Sequence, residues 1–208
     1  MPRMIRGLGA GRSARASARA PASSPTDASG PANCGRPRAG GPRPRCYPRA
    51  VRIAIGSDHA GYELKSAVGK QLDGEGHDVE DVGTNSTESC DYPDFAAAAA
   101  EMVAEGEADR AVIVCGSGVG VSIVANKLEG IRAVNAHDAD EAEMSRRHND
   151  ANVLTLSGAR LSPEDAAPIV DRFLTTDFDG GRHARRVDKI AAIERDRDRQ
   201  ARYDDEEE

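Results

Sequence analysis

No apolar run in this 208-residue chain approaches the roughly 18 residues needed to span a membrane. Cysteine is scarce as well. Cys34, Cys46, Cys90 and Cys115 form no C-x-x-C pair, and two of them lie in an irregular N-terminal stretch. That excludes a disulfide framework and suits a reducing cytosol, so a cytoplasmic protein is expected. No H-x-x-E-H or related ligand spacing appears, and no metal is expected. Lysine is nearly missing beyond residue 50, where only Lys65, Lys70, Lys127 and Lys189 remain. Residues 1–50 lack acid instead: they hold ten Arg and a single acidic residue, Asp27.

Residues 51–208 therefore keep 18 of the 28 basic and 34 of the 35 acidic residues, a net charge of −16. A field that negative repels nucleic acid and argues against a nucleic-acid partner. An acidic, Lys-poor surface is also what a salt-rich cytoplasm would favour, because screening relieves self-repulsion. Equal stability with and without molar salt would sink that idea.

Residues 1–50, rich in Arg, Ala, Pro, Gly and Ser, have no hydrophobic period. Such a segment buries too little apolar area to offset its ordering entropy, and disorder is expected. Three readings compete: a basic arm for acidic partners, a transit peptide, or a stretch outside the working protein. The third is favoured, with Val51 as the true first residue, because folding signals begin abruptly at VRIAIGSDHAG.

From Val51 short apolar runs alternate with helical stretches. Strands are predicted at 51–56, 77–83, 110–115, 131–136 and 152–158. Helices are predicted at 62–73, 91–107, 119–130, 138–149, 162–176 and 182–200, followed by a solvated acidic tail over 201–208. Leu64, Val68 and Leu72 at four-residue spacing mark the first helix, and Ser162, Pro163 and Glu164 open the fifth. The alternation implies an α/β fold: a Rossmann-like three-layer sandwich with a five-stranded parallel sheet, plus a C-terminal helix. Function in such sheets sits at the carboxyl ends of the strands. Asp58 and His59, Cys115 to Gly120, His137, and Gly158 to Arg160 fall there.

The stretch CGSGVG places Cys115 against Gly116, Ser117, Gly118, Val119 and Gly120. Glycines let backbone N–H groups approach an anion at a helix start. The spacing is G-x-G-x-G after the third strand, so a dinucleotide fingerprint fits poorly, and no Walker lysine follows. A bare strand-to-helix turn is the plain alternative. Cys115 itself is either a buried structural thiol or a reactive thiolate favoured by the helix start. Asp58 could equally be an ordinary N-cap, and His148 with Asn149 an ordinary helix end. Arg182 and Arg186 share one helix face at i, i+4 spacing near a helix start. Cations there oppose the dipole, which suggests an anionic ligand such as phosphate between them. A solvated charged face is the alternative, and Arg185 is read as that.

Taken together, GSDHAGYELK, DYPDFA, CGSGVGVSIVANK, GIRA, SRRHNDANVL and GGRHARRVDKI resemble the ribose-5-phosphate isomerase type B family, within the broader group that includes galactose-6-phosphate isomerase. The resemblance covers about residues 51–195. It implies an aldose-ketose isomerase of the pentose phosphate pathway that converts ribose 5-phosphate to ribulose 5-phosphate through a cis-enediolate, with no cofactor. Position by position, it implies Cys115 as catalytic base and Ser117 as its neighbour in the loop. His148 with Asp58 would open the sugar ring. His59, Arg182 and Arg186, joined by Arg160, would hold the phosphate. Asn149 and Tyr92 would contact the sugar. The turn Gly116, Ser117, Gly118, Val119, Gly120 would offer N–H groups to the enediolate oxygen. NVLTLSGAR is one residue longer than usual before Arg160, which leaves that transfer the weakest. The resemblance also implies a homodimer or homotetramer whose active sites lie at an interface, with the His148 region given by the partner. Two other functions stay open: isomerisation of a hexose or tetrose phosphate, and a non-catalytic phosphosugar-binding module.

Overall fold

The computed structural model describes residues 50–206. The expectations for residues 1–49 and for the last two residues of the tail lie outside the described residues. The elements run β1 (Arg52–Ser57), α1 (Tyr62–Glu75), β2 (Asp78–Asp81), α2 (Tyr92–Ala104), β3 (Arg110–Cys115), α3 (Val119–Ala125), β4 (Ala133–Asn135), α4 (Ala139–Asn149), β5 (Val153–Ser157), α5 (Pro163–Thr175) and α6 (Arg182–Glu206).

All five strands are parallel, in the order β2-β1-β3-β5-β4. Sequence composition explains who sits in the middle. β3 and β5, which read AVIVC and VLTLS, are buried throughout those residues, and β1 is buried after Arg52. DVED and AVN are not, and they take the two edges. Strands covered on both faces must be apolar on both, whereas an edge strand tolerates charge. So β5, last in sequence, inserts between β3 and β4. The chain leaves β1 toward β2 on one side while β3 lies on the other, and a crevice opens at such a reversal.

Period-two alternation divides the core into two layers. Ile53, Ile55, Val112, Val114, Leu154 and Leu156 face α1, α4 and α5, where Leu72, Ile169 and Phe173 fill the space. Ala54, Ala111, Ile113 and Cys115 face α2 and α3. That second layer is alanine-rich, which lets α2 lie close: a side chain at Gly56 would press on the Phe95 carbonyl at 3.0 Å. Ile113 is fully buried there, and truncation to Ala would cost about 2–5 kcal/mol.

Local signals end most helices as expected. Gly76 caps α1 at φ +85°, its N–H reaching the Leu72 and Asp73 carbonyls. Ser162 and Asp165 form a reciprocal capping box at α5. Several lengths differ from the sequence reading: β2 spans only Asp78–Asp81 and α2 ends at Ala104, and α3, β4 and α6 differ as well. α3 stops at Ala125, not 130, because the Asn126 side chain bonds both backbone groups of Ala133, at 2.8 and 2.9 Å. That tie turns the chain out of the helix and leaves β4 only three residues long. α6 continues through the first part of the expected acidic tail to Glu206. Among the described residues, no helix is long and apolar enough to cross a membrane.

Candidate active site

Three loops meet at the carboxyl end of the sheet. The first follows β1 and carries Asp58 and His59. Asp58 is buried, and its Oδ1 accepts the Gly61 N–H at 3.0 Å, the turn-closing role open to any Asp before a helix. Gly61 lies directly on β3: a Cβ there would overlap the Val114 carbonyl at 2.5 Å and the Cys115 nitrogen at 3.0 Å. The second loop precedes α2. Its Cys90 N–H donates to His59 Nδ1 at 3.2 Å, which leaves the proton of a neutral His59 on Nε2. Tyr92, 39% exposed, covers the glycine turn, with its ring 2.9 Å from where a Gly120 Cβ would stand. The third loop follows β5, where Gly158 packs on the Ala60 and Cys115 carbonyls and Arg160 is exposed.

The turn after β3 is held from behind. Ser157 Oγ donates to the Gly116 carbonyl at 2.8 Å, Asn135 Nδ2 to the Ser117 carbonyl at 3.3 Å, and Thr155 Oγ1 to the Gly118 carbonyl at 3.0 Å. In front, Gly118 N–H donates to Cys115 Sγ at 3.2 Å and Val119 N–H to Ser117 Oγ at 3.2 Å. The expected set of turn amides for an enediolate oxygen is therefore narrowed. The Gly118 amide serves the sulfur and the Val119 amide serves Ser117. α3 has only seven residues, so the sulfur depends on this direct N–H more than on a long helix dipole.

A second group gathers elsewhere. His148 and Asn149 end α4, and α6 begins beside them. His148 and His183 stack with ring centroids 4.3 Å apart and planes 3° apart. The Asp179 N–H donates to the Arg147 carbonyl, and the Arg147 guanidinium grips the Asp179 carboxylate, holding it below its ordinary range. Arg182 Nε donates to His183 Nε2 at 3.2 Å. Burial, then the nearby His148, Arg182 and Arg186, push the His183 imidazole down. A groove of about 480 Å³ opens beside Asn149, between β4 and Ile190 of α6.

His148, Asp179 and His183 bring possible metal ligands within 4.8 Å of one another. They fit an ion poorly. The parallel imidazole planes keep the ring lone pairs from converging, Asp179 is engaged by Arg147, and Arg182 donates to His183 Nε2.

One chain does not bring the two groups together. The Ala111 N–H meets the Asn152 carbonyl, so the residues just after His148 lie level with the start of β3. Cys115 ends that strand, and five rises of strand span about 16 Å. Asp58, His59, Tyr92, Cys115, Ser117 with its turn, and Arg160 stand at one end. His148, Asn149, Arg182 and Arg186 stand at the other. The pairing of His148 with Asp58, and of His59 with Arg182 and Arg186, does not occur within a chain.

Sequence reasoning missed Asn135, Thr155, Ser157 and His183. Polar residues at alternate positions of the apolar VLTLS were the visible sign for Thr155 and Ser157.

Comparison with known proteins gives a consistent picture. The sequence profile of the Ribose/Galactose Isomerase family matches residues 53–190. Ribose-5-phosphate isomerase B of Escherichia coli (strain K12) is 46% identical over 146 residues, spanning 70% of this chain and 98% of that protein. The structure of Clostridium thermocellum ribose-5-phosphate isomerase B aligns with a TM-score of 0.69 at 49% identity, over 70% of this chain and 98% of that one. The Mycoplasma genitalium enzyme, solved with bound ribulose 5-phosphate, aligns with a TM-score of 0.67 at 40% identity, over 69% and 96%.

Proposed function

The chain belongs to the ribose/galactose isomerase family, and from that membership we propose that it interconverts ribose 5-phosphate and ribulose 5-phosphate. The observation that carries the reading is the sulfur of Cys115, a residue 5% exposed, accepting the Gly118 N–H at the crevice end of β3. That N–H holds the sulfur at the crevice, and the thiolate is the form of cysteine able to take a proton from carbon.

The chemistry assigns the parts. The furanose opens when His148 and Asp58 move the protons of the anomeric hydroxyl and the ring oxygen. The Cys115 thiolate then takes the C2 proton. The C–H electron pair becomes the C1–C2 double bond, and the carbonyl pair moves onto O1. The thiol returns its proton to C1 while the O2 hydroxyl proton passes to O1, which leaves the ketose and the thiolate. Ser117 and its turn stabilise charge on the enediolate oxygens. His59, Arg160, Arg182 and Arg186 hold the phosphate and place C1 and C2, with Asn149 and Tyr92 against the sugar. Every atom balances without a cofactor.

The separation of the two groups supports a homodimer with interface active sites. An isologous pair that sets the Cys115 end of one chain against the His148 end of its partner completes two sites at once. Exposed apolar side chains flank both halves: Val119 and Ile123 beside the turn, Ile190 and Ile193 on α6.

The test is a panel of five- and six-carbon aldose phosphates compared by kcat/KM, for the intact chain and Cys115→Ala. Preference for ribose 5-phosphate, lost with Cys115, is expected. A hexose phosphate preference would sink the substrate assignment. Undiminished turnover in Cys115→Ala would sink the base.

A further inference from the structure

The geometry points to Asn135, Thr155 and Ser157 as positioning residues of the Cys115 turn, each fixing one peptide plane, with Asn135 fixing the plane whose N–H donates to the Cys115 sulfur. The inference deepens the reading of Cys115 as the base and rests on it.

A trans peptide points its C=O and the following N–H in opposite directions within one plane. Fixing a carbonyl therefore aims the next amide. Ser157 holds the Gly116 carbonyl and so aims the Ser117 N–H. Asn135 holds the Ser117 carbonyl and so aims the Gly118 N–H, the one that donates to Cys115 Sγ. Thr155 holds the Gly118 carbonyl and so aims the Val119 N–H, which donates to Ser117 Oγ. Three consecutive planes are thus fixed by three side chains from two neighbouring strands. None of the three needs to touch substrate.

Polar groups at these depths call for a reason. Thr155 and Ser157 are no more than 1% exposed, in a strand otherwise made of Val and Leu. Burying a hydroxyl is costly unless it bonds. Asn135 has a further oddity: its Oδ1 is buried without a hydrogen-bond partner. A residue kept for packing would not carry that penalty. One kept for its Nδ2 donor would. Gly118, at φ +76°, lies so close to Asn135 Oδ1 that any Cβ would collide with it, so side chain and turn are fitted to each other. Thr155 Oγ1 also lies 3.2 Å from the Val134 carbonyl, so its one proton is shared between the turn and edge strand β4.

The test reads the sulfur directly. The full-length protein, labelled with ¹³Cβ-cysteine, is titrated by NMR, with Cys115→Ser identifying the Cys115 signal; kcat and KM are measured in parallel. Asn135→Leu and Thr155→Val keep shape and remove the donor. Asn135→Leu is expected to raise the Cys115 titration midpoint, since it frees the plane whose N–H reaches the sulfur, whereas Thr155→Val, whose plane aims the Val119 N–H at Ser117 Oγ, should leave the midpoint in place. Each should lower kcat about tenfold with KM within about threefold. Thr155→Ser restores the donor and should restore kcat. Ser157→Ala, the smallest change, guards against a variant that fails to fold. It should lower kcat without moving the midpoint, since its plane aims a different amide. Folded Asn135→Leu with the parent midpoint, or folded Thr155→Val with the parent kcat, would overturn the inference. A raised midpoint with unchanged kcat would support the positioning and sink Cys115 as the base, so the two failures are distinguishable.

Discussion

His148 and His183 lie face to face, 4.3 Å between ring centroids, at the junction of α4 and α6. Two imidazolium ions so placed would repel, and Arg182 adds a third cation by donating to His183 Nε2. The fold therefore lowers the His183 pKa, through burial first and the neighbouring His148, Arg182 and Arg186 next. His77 is pushed in the same direction by burial. For a histidine whose folded pKa lies below its unfolded one, the unfolded chain binds the extra proton. Stability from these groups is present above the unfolded value of about 6.5 and is lost as pH falls from there toward the folded value. The thermal midpoint should drop between pH 7.5 and 5.5, and His183→Gln should flatten that slope. An identical slope in the variant would remove His183 as a cause.

The proposed sharing of active sites between subunits makes a stoichiometric prediction. Cys115→Ala and His148→Ala should each be nearly inactive. When the two are unfolded together and refolded in equal amounts, half the dimers are mixed. Each mixed dimer has one site carrying both changes and one carrying neither. About a quarter of the parent activity should return, by random pairing of isologous subunits. No recovery, in a mixture shown to contain mixed dimers, would place each site within one chain.

The division of the site was implied by the family resemblance alone, yet its physical cause also lay in the sequence. The helix direction carried it. In a strand–helix–strand unit the helix runs back, so residues at its C-terminus return to the amino ends of the strands. His148 and Asn149, ten and eleven residues into α4, had to lie opposite Cys115. The central strands were legible because AVIVC and VLTLS admit only burial. α3 and β4 were misjudged because Asn126 and Ala133 are seven residues apart, and their bond exists only once β4 is in place. The roles of Asn135, Thr155 and Ser157 were illegible for the same reason, even where a polar residue in an apolar strand was visible: their partners lie 18 to 41 residues away, across strands paired out of sequence order. His183 was hidden by the arginines around it.

Glycine at 120 is required by Tyr92 more than by the backbone, since no positive φ occurs there. Ala at 120 would put its methyl 2.9 Å from the ring, which is partly exposed and free to move. Gly120→Ala should keep its fold, displace Tyr92 and raise KM severalfold. Gly118→Ala is different, combining φ +76° with the Asn135 collision. It should cost on the order of 2 kcal/mol or more by urea unfolding. Equal losses of stability in the two variants would contradict this distinction.

Asp150 supplies the last prediction, on the loop that presents His148 and Asn149. Its Oδ1 takes Arg146 Nη1 at 2.8 Å and its Oδ2 takes Arg132 Nη2 at 2.9 Å. It holds a left-handed conformation, φ +48°, that Asn tolerates and Ala resists. Arg146 is only 4% exposed, with Ala151 and Thr176 carbonyls as its other acceptors. Arg110 nearby is pushed down by burial and then by Arg146, so the cluster has more cations than this carboxylate can neutralise. Removing Asp150 therefore strands a buried guanidinium, which matters more than the lost attraction itself. Asp150 is a third exposed, and solvent screening trims the effect. Asp150→Ala is expected to cost about 3 kcal/mol in urea unfolding, and Asp150→Asn, which keeps the backbone and one acceptor, about half that. Arg132 Nε also donates to the Asn149 and Asp150 carbonyls, so kcat should fall in both variants as the loop loosens. If Asp150→Asn unfolds at the parent urea concentration, the carboxylate charge is not what holds Arg146, and the two backbone carbonyls suffice.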